Sequence, residues 1–213
     1  MTGAGAHAGF RWSLTSAPAR GAGEDRAAVF AVPDGLVVAL ADGAGGTSSG
    51  ATAADAVIAA VAEVAEGMRG GVAAAWMRLL TRLDRAPAAL GHGQCTAVVA
   101  HVTRYGVVGA SVGDSGAWIV RADAIDELTA DQARKPLLGS GARVAPLGRG
   151  AILAGTLVVA SDGLFAYAPR DAIAAIARGP DLAAIGPALV ARVRLPSGAM
   201  PDDAAIIVVR ADG

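Results

Sequence analysis

The chain has little of what most metal or redox sites are made from. It contains one cysteine and three histidines in 213 residues. A lone Cys95 excludes any disulfide within the chain, and with it the stapled folds of small secreted domains. A reducing, cytoplasmic setting is the simplest expectation. Cys95 lies in an apolar run with no activating base near it in sequence, so it reads as core packing. His7, His92 and His101 show none of the spacings that hold zinc, and each is expected at the surface or in a turn. Charge of one sign is missing too. The net charge is -1, no block of like charges occurs, and so neither nucleic acid nor an anionic membrane is an expected partner. The chain is 54% hydrophobic, but alanine supplies much of that. No window reaches the run of about 18 strongly apolar residues that a membrane span needs. Residues Met1 to Arg11 lack the basic-then-apolar pattern of a signal peptide. There is no Gly-Lys-Ser/Thr loop for nucleotide phosphates. The glycines after Asp42 do not complete a dinucleotide fingerprint either, because the third would fall at Ser48.

What is present suits one domain, residues 1–213, with no long linker or repeat. Ala27 to Val32 and Leu36 to Ala41 form a candidate hairpin about the turn Pro33-Asp34-Gly35. Thr52 to Glu66 reads as a helix with Val57, Ile58, Val61 and Val64 on one stripe. A second helix over Val72 to Arg85 buries Trp76, Leu79, Leu80 and Leu83. Thr47 or Ser48 is the expected cap of the first helix. Cys95 to Val102, Gly106 to Val112 and Ala117 to Arg121 follow as strands in meander spacing. The segment from about 129 to 154 is irregular. Thr156 to Ser161 is another strand, Arg170 to Ala177 and Asp181 to Arg192 are helices, and Ala204 to Arg210 is the last strand. Strands in groups with helices in pairs between them argue for an α+β fold with antiparallel sheets.

The chemistry resides in acids at strand ends. The run Leu36 to Ala41 ends in Asp42-Gly43, and Thr156 to Ser161 ends in Asp162-Gly163. Asp114 sits in a turn between two strands, Asp202-Asp203 opens the last strand, and Glu24-Asp25 precedes the first. Glycine beside an acid would let its backbone carbonyl approach a ligand closely. Several such acids converging would repel one another unless a divalent cation lay between them. Carboxylates suit hard cations such as Mg2+ or Mn2+, and these point to hydrolysis of phosphate.

Taken in order, the segments Arg20-Gly21-Ala22-Gly23-Glu24-Asp25, Ala41-Asp42-Gly43-Ala44-Gly45-Gly46, Gly93-Gln94-Cys95-Thr96-Ala97, Ser111-Val112-Gly113-Asp114-Ser115, Leu128-Thr129-Ala130-Asp131-Gln132, Ala160-Ser161-Asp162-Gly163-Leu164 and Asp202-Asp203-Ala204-Ala205-Ile206-Ile207-Val208-Val209 resemble the metal-dependent serine/threonine protein phosphatases of type 2C, the PPM family. The resemblance runs from residue 20 to 209. It implies two central antiparallel sheets flanked by pairs of helices, a four-layer sandwich. It further implies two Mn2+ or Mg2+ ions sharing a water that attacks phosphorus. Asp42 would bridge the ions, Asp162 and Asp202 would complete the first shell, and Glu24 with the Gly43 carbonyl would serve the second. Asp25 would be a nearby outer acid. Arg20 would hold the phosphate, and Asp114 would serve a weaker third ion found in many members. The implied substrate is a phosphorylated protein, with a cognate Ser/Thr kinase or its targets as partners, in bacterial signalling.

The chain departs from the family pattern at four places. Ala44 stands where animal members carry a His, Gly116 where the family has Arg, and Asp203 where it has Asn. The flap, usually long and helical, is cut to roughly 129–154. Asp131 matches a family acidic position. Two alternatives remain open on these residues: a non-catalytic or weakly active relative that binds a phosphoprotein or partner domain, and a phosphatase of small phosphorylated metabolites.

Overall fold

The computed structural model describes residues 2–45, 48–67, 73–148 and 153–212, without the Ser48 side chain. The chain opens with β1 (Thr2–His7), β2 (Phe10–Ala17), β3 (Arg26–Val32), β4 (Gly35–Ala41) and the two-residue β5 (Gly43–Ala44). Helices α1 (Ser48–Glu66) and α2 (Ala73–Asp84) follow, then a short 3-10 turn at Pro87–Leu90. Next come β6 (Gln94–Cys95), β7 (Ala97–Thr103), β8 (Gly106–Val112), β9 (Gly116–Val120), β10 (Ile125–Glu127), β11 (Ala145–Pro146) and β12 (Thr156–Ala160). Helices α3 (Asp162–Phe165), α4 (Arg170–Ala177) and α5 (Leu182–Val193) lead to β13 (Ala204–Ala211).

The strands build two large antiparallel sheets, and β5 pairs with β6 in a two-stranded ribbon beside them. One has the order β1-β2-β13-β12-β9-β10 and the other β11-β8-β7-β4-β3. Successive side chains of a strand point to opposite faces, and here both faces are covered. In β4, Leu36, Val38 and Leu40 join Val98, Leu157, Val159, Ile207 and Val209 in the core between the sheets. Val37, Ala39 and Ala41 turn the other way, against α1 and α2 through Val57, Val61, Trp76 and Leu80. Val158, Ile206 and Val208 face α4 and α5 through Ile173, Ile185 and Leu189. A strand buried on both faces reads as an unbroken apolar run, which is why Leu36 to Ala41 and Thr156 to Ala160 look as they do. The layers are therefore helices, sheet, sheet, helices, as expected.

Several boundaries differ from the sequence expectation. The hairpin of β1 and β2, paired from Thr2↔Thr15 to His7↔Phe10, had no assigned element. Its edge strand has almost no apolar alternation, because Gly3 and Gly5 leave room for the Trp12 ring. The run from Cys95 is broken at Thr96 into β6 and β7. The expected meander is not one sheet either. β7 and β8 pair in the second sheet, whereas β9 pairs with β12 in the first. The chain changes sheets at Gly113-Asp114-Ser115, where Gly113 has φ +93. Helix α1 starts at Ser48, earlier than Thr52; its expected cap by Thr47 or Ser48 lies outside the described residues, as does the Val72 start of the second helix. Among the described residues, no helix is long and apolar enough to cross a membrane.

Candidate metal centre

The sheet change at residue 113 and the ends of β4, β12 and β13 bring acids from both sheets to one rim. A cleft of about 320 Å3 is lined by Glu24, Asp42, Asp114, Asp162 and Asp202, together with the backbone turn at Gly43. Five of the expected ligand residues, plus Gly43, thus face one space. Asp25 does not line it. It is buried behind the rim, where its carboxylate accepts a 2.7 Å hydrogen bond from Ser161 Oγ. Arg20 is exposed and lines an adjoining cleft of about 510 Å3, which shares Glu24 and Asp202 with the first and adds Asp203. Asp131 is exposed and lines neither cleft.

Backbone hydrogen bonds fix the acids in place. The Asp42 N–H donates to Thr96 Oγ1 at 3.0 Å, and the Thr96 N–H returns to the Asp42 carbonyl at 2.8 Å. Thr96 Oγ1 is in turn 2.6 Å from Ser115 Oγ, so the loop carrying Asp114 is tied to the same point. The Ser161 Oγ that donates to Asp25 accepts from the Ala205 N–H at 3.0 Å, which fastens the end of β12 to the start of β13. Asp203 Oδ1 and Oδ2 accept the N–H groups of Ala19 and Glu24 at 2.7 and 2.6 Å. Asp203 therefore holds the Arg20–Glu24 loop by its backbone.

The glycines beside the acids also lie against neighbouring backbone. A Cβ on Gly43 would lie 2.5 Å from the Gly50 backbone, at the start of α1, and one on Gly163 would collide with the Asp203 carbonyl. Both admit neighbouring backbone. At Gly116, where the family carries Arg, a Cβ would lie 2.6 Å from the Phe165 ring. That ring packs 4.5 Å from Trp118, so a larger side chain would have to displace it. The expectation for histidine needs a correction: His101 is wholly buried in β7, with Nε2 3.1 Å from Asp34 Oδ1. His92 occupies a turn, with φ +57. Cys95 is buried, and burial, aided by the Asp42 charge, pushes its thiol up to about 12.

The electrostatics are those of a site short of positive charge. Burial, then the charges of Asp25 and Asp162, push Asp42 up to about 9. Burial raises Asp25 to about 6, against the opposing hydrogen bond from Ser161. Burial, then Asp114 and Asp202, raise Asp162 as well. Asp42 lies within hydrogen-bonding reach of Asp25 and Asp162, contacts that carboxylates make only when one holds a proton. As the side chains stand, no group of three or more His, Cys, Asp or Glu among the described residues forms a ready coordination shell. The acidic side chains nonetheless converge on one cleft with their oxygens, and Asp25 Oδ1 is buried with no hydrogen-bond donor among the described residues. That chemistry fits hard divalent cations and not zinc. A wider cleft of about 560 Å3 along α2, between Met77 and Arg85, has no carboxylate in its lining.

Some contributors to the rim were not foreseen. Thr96, Ser161 and Asp203 stood in matched segments without assigned roles. Arg134 and Lys135, from the shortened flap, were missed outright. Arg134 pairs with Asp114 at 3.3 Å, and Lys135 lines the acid cleft. The available signal was that Lys135 is the chain's one lysine.

Neither a protein-family model nor a curated protein matches the chain. Solved structures do. A Streptococcus agalactiae serine/threonine phosphatase superposes with a TM-score of 0.79 at 20% identity, over 95% of this chain and 99% of that one. The Mycobacterium tuberculosis serine/threonine phosphatase PstP gives 0.77 at 21% identity, over 96% and 99%. The catalytic domain of PstP in complex with two manganese ions gives 0.74 at 21%, over 96% and 99%. Over nearly its whole length, this chain has the fold of the bacterial serine/threonine phosphatases of the PPM family.

Proposed function

We propose that this chain is a metal-dependent phosphatase that hydrolyses phosphoserine and phosphothreonine in proteins, as one cytoplasmic domain acting on the targets of a Ser/Thr kinase. The observation that carries this reading is that Asp42 from one sheet and Asp162 and Asp202 from the other line a single cleft and offer carboxylate oxygens to it. In this reading Asp42, Asp162, Asp202, Glu24 and the Gly43 carbonyl would hold the two ions, with Asp42 serving both, Asp162 and Asp202 one, and Glu24 and Gly43 the other. Two Mn2+ or Mg2+ ions, when bound, would supply an activated water and neutralise charge on the phosphoryl oxygens.

The chain's own residues do the rest. Asp25, backed by Ser161, keeps Asp42 oriented from behind. Thr96 fixes the Asp42 backbone. Asp203 sets the loop that carries Glu24 and Arg20, so Arg20 approaches the phosphate from the adjoining cleft. Arg134 already supplies a positive charge at Asp114, which favours two ions over three.

The test is hydrolysis of p-nitrophenyl phosphate and of phosphoserine peptides with and without Mn2+. Metal-stimulated turnover is expected, with peptides preferred over small phosphorylated metabolites in kcat/KM. No turnover in Mn2+ would leave a binding module, and a preference for metabolites would reassign the substrate.

A further inference from the structure

We infer that Lys135 binds the substrate phosphate, an inference that rests on the phosphatase reading. The acid cleft has five carboxylates in its lining. Arg134 offsets one of them at Asp114 and two divalent ions would only balance the other four, so a phosphate dianion meets no net positive charge there unless the protein adds another cation. Arg20 lines the adjoining cleft instead. Arg134 is turned to Asp114. Among the described residues, the cation in the lining of the acid cleft is Lys135, the one lysine in a chain whose other basic side chains, histidines aside, are arginines.

The backbone around Lys135 is held at both ends. On one side, Gln132 Nε2 donates to the Ser115 carbonyl at 2.6 Å. On the other, Leu138 exchanges two hydrogen bonds with Cys95, and Leu137 is buried. Beyond them, Asp84 Oδ1 accepts the N–H groups of Gly139, Gly141 and Ala142 at 2.9, 3.1 and 3.0 Å. Asp84 is the last residue of α2, where a negative charge opposes the helix dipole. Its three backbone donors give it a reason to be there. Residues 132–142 thus form a short strap tethered on both sides of Lys135, which lies in the cleft lining between the tethers. An ammonium is a compact point charge on a flexible four-carbon stem, which suits an exposed phosphoryl oxygen.

Two measurements test this. In the first, Lys135→Ala and Lys135→Arg are compared with wild type in Mn2+. Lys135→Ala is expected to raise the KM for p-nitrophenyl phosphate, and the inhibition constant of inorganic phosphate, about ten-fold. Lys135→Arg recovers part of that loss, and Mn2+ binding by calorimetry stays as tight or becomes tighter. If Lys135→Ala tightens Mn2+ binding but leaves both phosphate constants unchanged, Lys135 only neutralises the acids and the inference is overturned. In the second, wild-type protein is acetylated with an amine-reactive ester and Lys135 is followed by peptide mass. Inorganic phosphate with Mn2+ should slow its labelling about three-fold or more, and equal labelling would overturn the inference. A wild type that labels with protection but does not turn over would sink the phosphatase reading alone.

Discussion

Asp203 Oδ2 lies 2.6 Å from the backbone nitrogen of Glu24, across 179 residues of sequence. With Oδ1 on the Ala19 N–H, one carboxylate closes the loop that carries both Arg20 and Glu24. Hydrogen bonds to a charged group contribute about 1.5–3 kcal/mol each. Asp203→Ala is expected to lower stability by about 2–4 kcal/mol and to weaken Mn2+ binding by releasing Glu24. Asp203→Asn keeps one acceptor oxygen and should lose about half as much. Denaturant melts and calorimetry of the two variants check the order; an alanine variant as stable as wild type would contradict it.

Gly163 and Gly141 separate two reasons for glycine. A methyl on Gly163 runs into the Asp203 carbonyl, whereas one on Gly141 meets nothing within 4 Å although φ is +87. Gly141→Ala should cost about 1–2 kcal/mol from the left-handed backbone alone. Gly163→Ala must push the start of β13 away from α3, and should cost more than about 3 kcal/mol or prevent folding. Thermal melts of the pair decide it.

The strand ends were legible in the sequence because β4 and β12 are buried on both faces, which leaves an unbroken apolar run with an acid at its close. The stripe on α2 was legible for the same reason in helical spacing, and Trp76, Leu79, Leu80 and Leu83 are all buried. What could not be read was anything set by tertiary crossing. Gly113 looks like any turn glycine, yet there the chain passes from one sheet to the other. Gly116 reads as a missing arginine, and only the Phe165 ring explains it. The edge strand β1 has no hydrophobic alternation, because its glycines yield space to Trp12. Lys135 had no partner in sequence, because its neighbours are brought by β4, β12 and β13.

Protonation should set the stability of the metal-free protein. Asp25 and Asp42 hold their protons up to about 6 and about 9, against 3.8 for an ordinary aspartate. A carboxyl raised in this way binds its proton more tightly folded than unfolded. It adds stability below the unfolded value and loses it as pH rises through the folded value. In EDTA the melting temperature is therefore expected to fall between about pH 4 and pH 9. Excess Mn2+ should reverse the slope over that span, because ions bind the charged form. Equal melting temperatures in EDTA at both ends of the window would refute the buried-acid picture.

Asp42→Asn removes the most strongly perturbed of these acids. Without metal, at pH 8, it should be more stable than wild type by at least about 1 kcal/mol, since one pKa unit corresponds to about 1.4 kcal/mol. In Mn2+ the order should invert, and turnover should drop about a hundred-fold or more. Parallel melts with and without Mn2+, together with kcat, measure both halves.

Asp84→Ala should free the loop of residues 139–142 without touching the acids. Amide exchange in that loop should accelerate about ten-fold or more, as three hydrogen bonds to a carboxylate are lost, while Asp84→Asn retains an acceptor and slows it again. Unchanged exchange in the alanine variant would show that the strap is held by other contacts.

The acids arrive from opposite sheets, Asp42 at the end of β4 and Asp162 after β12. A cation gripped by both is a rivet through the seam of the sandwich. If such a cation binds only when the two sheets are docked, each ten-fold excess over its dissociation constant would add about 1.4 kcal/mol against their separation. Cellular manganese would then govern how long the molecule survives as well as how fast it works.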